Sequence, residues 1–78
     1  MSIQWLFDLI EERKHNPTEK SYTASLFAEG LPKIAQKVGE EGTEVVVAAL
    51  AQSNERLIEE VADLTYHTLV LLSARGID

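Results

Sequence analysis

Two long stretches of helical periodicity, Leu31 to Ala51 and Glu55 to Arg75, are separated only by Gln52-Ser53-Asn54. That short break constrains the fold more than any other feature. Helices joined by so few residues turn back on one another as an antiparallel hairpin. The apolar positions of the first stretch are Ile34, Ala35, Val38, Val45, Val46, Ala49 and Leu50. Those of the second are Leu57, Ile58, Val61, Leu64, Leu69, Val70, Leu71 and Leu72. Pro32 suits the first helical turn, where its missing N–H costs nothing. Ser53 or Asn54 can cap the second helix, and Arg75 followed by Gly76 is a C-terminal stop. Gly39 and Gly42 sit inside the first stretch, where each costs about 1 kcal/mol relative to Ala. Their place beside acidic residues predicts a close approach at that point.

Upstream, Ile3, Leu6, Phe7 and Ile10 recur at helical spacing over about Ile3 to Lys14, ending before Asn16-Pro17. Thr18 to Lys20 reads as loop. Ser21 to Ala28 reads as a short helix with Ser21 as its N-cap, closed by Gly30. Trp5, Phe7 and Phe27 are assigned to the core. No strand-like alternation or repeat is present. The chain of 78 residues is therefore read as one all-α domain, a small antiparallel helical bundle. A bundle this short buries only about 60–65% of its unfolded surface, so dimerisation is expected to complete it. Without cysteine it has neither disulfides nor thiolate metal ligands, which suits a cytoplasmic location. No signal peptide is visible at Met1-Ser2-Ile3-Gln4-Trp5, and the run Val45 to Ala51 is far short of the roughly 20 residues of a membrane span.

The net charge is −6, from 13 acidic and 7 basic residues. Six of the acids fall in two clusters, Glu40, Glu41, Glu44 and Glu59, Glu60, Asp63; the other seven balance the bases. The acidity is local, and no basic stripe exists to bind nucleic acid. Glu41 and Glu44 are three apart on one helix, as are Glu60 and Asp63 on the next, so each pair shares a helix face. In the hairpin the four carboxylates converge. Like charges in a partly buried site repel, and a divalent cation resolves the conflict. All-oxygen donors favour Mg²⁺, Mn²⁺ or Ca²⁺ over zinc or copper. A Glu-x-x-Glu pair alone is common on solvated faces; the weight here comes from two such pairs lying in the two most apolar helices. Lys37 borders the acidic stripe at i−4 from Glu41, either as an ion-pair partner or as a phosphate contact. Lys33 lies one turn further out. His67, four after Asp63, suits a supporting hydrogen bond better than ligation of a hard cation. Tyr22, in Ser-Tyr-Thr, either packs or stacks on a base.

Ser21-Tyr22-Thr23, Lys37-Val38-Gly39-Glu40-Glu41, Glu44-Val45-Val46, Glu59-Glu60-Val61-Ala62-Asp63-Leu64 and Tyr66-His67 together resemble the phosphoribosyl-ATP pyrophosphohydrolase family. The resemblance spans about residues 3 to 77. Its paired acids are shared with a wider superfamily of all-α nucleotide pyrophosphohydrolases; the other motifs are more specific. It implies hydrolysis of phosphoribosyl-ATP, an adenine nucleotide, to phosphoribosyl-AMP and pyrophosphate, the second step of histidine biosynthesis. It also implies Mg²⁺, with Mn²⁺ as a substitute, held by Glu41, Glu44, Glu60 and Asp63. Glu44 or Glu40 is the expected proton acceptor. Lys37, with Lys33 or Lys20, is expected to hold the leaving pyrophosphate, and Tyr22 and Thr23 to contact the ribose or base. The family is typically built on a dimer. Gly42 and Thr65 depart from its usual Ala and Leu, and its further C-terminal helix is expected to be missing after Asp78.

Two other functions suit parts of this pattern. One is a housekeeping hydrolase of ordinary nucleoside triphosphates within the same superfamily. The other is a non-enzymatic helical module that offers an acidic face to a basic partner.

Overall fold

The computed structural model describes residues 2–16 and 21–77, and these form four α-helices with no strand among them. Helix α1 spans Ile3–His15, α2 Tyr22–Glu29, α3 Leu31–Ala51 and α4 Asn54–Ala74. The expected loop Thr18 to Lys20 lies outside the described residues. Caps set the boundaries. The Ser2, Ser21 and Ser53 side chains each accept a backbone N–H from the residue three positions on, Trp5, Ala24 and Arg56. Helix α3 has no side-chain cap. Gly30 precedes it at φ 93, a left-handed conformation that favours glycine, and Pro32 occupies the first turn. Helix α4 ends in a Schellman arrangement: Gly76, at φ 73, donates to the Ser73 carbonyl, and the Ile77 N–H donates to the Leu72 carbonyl.

Helices α3 and α4 form the antiparallel hairpin, and α1 and α2 cover one half of it. Ile10, Leu26, Ile34 and Val70 are the buried centre, with Leu6, Phe27, Tyr66, Leu69, Leu71 and Ala74 packed around them. Burying side chains of this size stabilises by about 1.5–3 kcal/mol each. A polar clasp fastens α1 to α4. The fully buried Ser73 donates its hydroxyl to Glu11 at 2.7 Å, and Lys14 donates to the Ser73 carbonyl at 2.7 Å.

The other half of the hairpin is uncovered. Val46, Val47, Leu50, Ile58 and Val61 are exposed, Leu50 at 83% and Ile58 at 69%. Ala35, Ala49 and Trp5 are exposed as well. The periodicity marked several of these as apolar-face positions, but none of the described helices covers them. The expected close approach at Gly39 and Gly42 is absent too. A Cβ built at either would meet nothing within 4 Å. No described helix is long and apolar enough to cross a membrane.

Candidate functional site

The acidic residues meet where the covered half of the hairpin gives way to the uncovered half. Glu41 on α3 and Glu60 on α4 are buried, at 6% and 5% exposure. Each offers an oxygen to a group completed by the exposed Asp63, and the three ligand atoms lie within 4.8 Å of one another. The two buried glutamates are held alike. The Glu41 Oε1 faces the Lys37 ammonium at 3.4 Å, from one turn earlier on α3. The Glu60 Oε1 accepts from the Arg56 Nη2 at 2.7 Å, from one turn earlier on α4. In each case Oε2 is buried and has no hydrogen-bond partner among the described residues. Buried carboxylate oxygens without partners are costly and call for an explanation. A cation would supply the missing partner for both. The donor set is oxygen only, and it suits a hard divalent ion.

Glu44 lies outside that compact trio but is electrostatically part of it. A protonated Glu44 can donate to Glu41 foremost and to Glu60 next, which favours its neutral form. With desolvation and the two negative charges added, its pKa is pushed up to about 7. Glu41 is the other half of this sharing, and its pKa is lowered chiefly by the bond from Glu44 and then by Lys37, against the effect of burial. For Lys37, burial works downward, but Tyr22, Glu41 and Glu40 together outweigh it and raise the pKa.

The remaining residues singled out in the sequence divide into three groups. Glu40 is exposed and turned along its own helix, accepting from the Gln36 amide at 3.0 Å with Lys37 at 3.7 Å; the Gln36 bond foremost lowers its pKa. Lys33 is half-buried and near enough to Glu40 to contribute to that lowering. Lys20 lies outside the described residues. Tyr22 and Thr23 begin α2 beside α4. The half-exposed Tyr22 bonds His67 through its hydroxyl, whereas Thr23 is buried and bonds the Tyr66 hydroxyl.

Arg56 was not singled out by the sequence reading. It donates to Glu59 at 2.6 Å as well as to Glu60, and lies half-exposed at the turn end of the site. With Thr43, Glu44, Val47, Gln52 and Glu60 it lines a shallow cavity of about 210 Å³. Its signal was present: Arg56 precedes Glu60 by four residues, the same spacing as Lys37 before Glu41. The stripe thus has a cation at each end, two bare buried carboxylate oxygens between them, and an open side where a polyanion bearing a metal ion could lie.

Comparison with known proteins adds an independent line. The family model for phosphoribosyl-ATP pyrophosphohydrolase matches residues 4–78. A phosphoribosyl-ATP pyrophosphatase of Lacticaseibacillus casei is 58% identical over 76 residues, covering 97% of this chain and 69% of that protein. One from Clostridium botulinum is 52% identical over 75 residues, covering 96% and 68%. A third, from Sulfurisphaera tokodaii, is 51% identical over 75 residues, covering 96% and 80%.

Proposed function

The chain belongs to the phosphoribosyl-ATP pyrophosphohydrolase family, and from that premise we propose that it hydrolyses phosphoribosyl-ATP to phosphoribosyl-AMP and pyrophosphate, the second step of histidine biosynthesis, with a divalent cation at the carboxylate cluster. The observation that carries the site assignment is the pair of buried Oε2 atoms on Glu41 and Glu60, each left without a partner while a cation occupies its sister oxygen.

Glu41, Glu60 and Asp63 would hold Mg²⁺ or Mn²⁺, with Glu44 at its edge. When bound, the cation offsets charge between the carboxylates and the phosphate oxygens and polarises the reacting phosphorus. Glu44 is the better proton acceptor of the two glutamates considered. It is exposed, yet within reach of Glu41 and Glu60, whereas Glu40 is occupied by Gln36 and Lys37. Water adds its oxygen to phosphorus, its proton passes to Glu44, and the bond to the departing pyrophosphate breaks. Lys37, with Lys33 and Lys20, would steady the negative charge of that leaving group. Tyr22 faces the ribose or base, and Thr23 supports it through Tyr66.

The exposed strip of Val46, Val47, Leu50, Ile58 and Val61 suits a second copy of the chain, so the working form is a homodimer or a larger homo-oligomer. A cytoplasmic location agrees with a biosynthetic role. The test of substrate is competitive turnover of phosphoribosyl-ATP against dUTP and dCTP in Mg²⁺. Preference for phosphoribosyl-ATP is expected; preference for the ordinary triphosphates would assign the chain to the housekeeping branch of its superfamily.

A further inference from the structure

His67 joins the acidic cluster to an aromatic patch. Its ring is 5% exposed, and both nitrogens have partners. Nδ1 lies 2.7 Å from the backbone carbonyl of Asp63, and Nε2 lies 2.9 Å from the Tyr22 hydroxyl. A carbonyl can only accept, so Nδ1 carries the proton. In the neutral ring Nε2 then accepts, and Tyr22 donates. The tautomer is therefore set by the backbone of a residue whose carboxylate belongs to the cluster.

Tyr22 is held in a second way. Its ring stacks on Tyr66, with centroids 6.2 Å apart and planes at 26°. The His67 ring meets both tyrosines edge-on, at 5.8 Å and 5.0 Å. Tyr66 is anchored in turn by the bond to Thr23. Tyr22 nevertheless remains 51% exposed. A large ring fixed at its hydroxyl and packed against Tyr66, yet half-exposed, offers a preformed stacking surface.

We propose that His67 is a positioning residue that clamps the Tyr22 ring as the platform for the purine base of the substrate, tying it to the backbone of Asp63, whose carboxylate belongs to the cluster. The inference rests on reading the site as that of a nucleotide pyrophosphohydrolase. Stacking supplies affinity for a base without demanding charge, which suits a purine lying between the triphosphate and the phosphoribosyl group of the substrate.

Five variants test it: Tyr22→Phe, Tyr22→Ala, His67→Phe, His67→Gln and the double variant Tyr22→Phe/His67→Phe. The readouts are KM and kcat for phosphoribosyl-ATP in Mg²⁺, and calorimetric Kd values for phosphoribosyl-AMP and for Mn²⁺. Tyr22→Phe and His67→Phe should each raise KM and the phosphoribosyl-AMP Kd by about three- to tenfold, the usual reach of one hydrogen bond. The double variant should be no worse than either single one, because both remove the same link. Tyr22→Ala, which deletes the platform, should lose about ten- to a hundredfold in affinity. Values of kcat and Mn²⁺ affinity should stay near wild type throughout. His67→Gln, whose amide oxygen can accept from Tyr22, should recover most of the loss. Unchanged KM and product affinity in Tyr22→Phe overturns the inference, and this exposed position keeps the test valid even if His67→Phe does not fold. Additive losses, or a loss of Mn²⁺ binding together with kcat, overturn it as well. A wild-type protein that releases no pyrophosphate but binds phosphoribosyl-AMP in a His67-dependent way would end the hydrolase reading and leave the platform standing.

Discussion

Glu60→Gln tests the carboxylate cluster through stability, independently of turnover. In the metal-free protein, Glu41, Glu60 and Asp63 bring carboxylate oxygens within 4.8 Å of one another. At that separation one like-charge pair costs about 1 kcal/mol in a water-like dielectric and about 3.5 kcal/mol at an effective dielectric of 20. Glutamine keeps the volume and removes one charge. Its amide oxygen can still accept from Arg56, and its NH₂ can donate to the bare oxygen of Glu41. The change weakens the Arg56 ion pair, whose cation is half-exposed, by about 0.2–1 kcal/mol. The balance favours the variant by about 1 kcal/mol, which is roughly 4–8 °C in Tm for a domain of this size. Calorimetric melting in excess chelator at pH 8 should show that gain. In Mg²⁺ at about 100 times its Kd, the wild type gains about 2.7 kcal/mol and should overtake a variant that binds the ion poorly. A Tm unaltered in both chelator and Mg²⁺ would refute the convergent arrangement, because that is how a merely solvated helix face behaves.

Three other perturbations follow from the same geometry. Glu44→Gln should lower turnover by at least about 10²-fold, as for loss of a general base or metal ligand; near-normal rates at saturating Mg²⁺ would remove Glu44 from the chemistry. Because folding raises the Glu44 pKa from 4.5 to about 7, the folded state holds more protons than the unfolded one between those values. Metal-free stability should therefore fall as pH rises from about 4.5 to 7, and melts of Glu44→Gln over the same range should lack that part of the decline. Lys37→Ala should raise KM with Mn²⁺ affinity intact or tightened, since it removes a cation beside the cluster; unaltered steady-state kinetics would reduce Lys37 to an ion-pair partner.

The hairpin and its acids were legible because both depend on local spacing. Helical period alone sets Glu41 with Glu44 and Glu60 with Asp63, and the three-residue break folds one pair toward the other. Ser21, Ser53 and Gly76 marked helix ends for the same local reason. What covers an apolar stripe is not local. Ile34 and Val70 are buried because α1 and α2 reach them, while Leu50 and Ile58, equally apolar, lie beyond that reach. Trp5, itself on α1, is exposed too. Gly39 and Gly42 looked like contact points, but their missing side chains meet no neighbour. The bond between Tyr22 and His67 links residues 45 apart in sequence, and only the packing of α2 against the hairpin creates it. Arg56 was readable by spacing, yet an arginine followed by two glutamates also describes an ordinary exposed helix face.

On the reading proposed for this chain, the carboxylates of Glu41, Glu60 and Asp63 would hold the cation that supports pyrophosphate release. Phosphorus NMR of phosphoribosyl-ATP incubated with the protein, in Mg²⁺ and in excess chelator, tests it directly. Phosphoribosyl-AMP and pyrophosphate should form together in Mg²⁺, and neither should form in chelator. Equal release in chelator, or inorganic phosphate in place of pyrophosphate, would contradict the account.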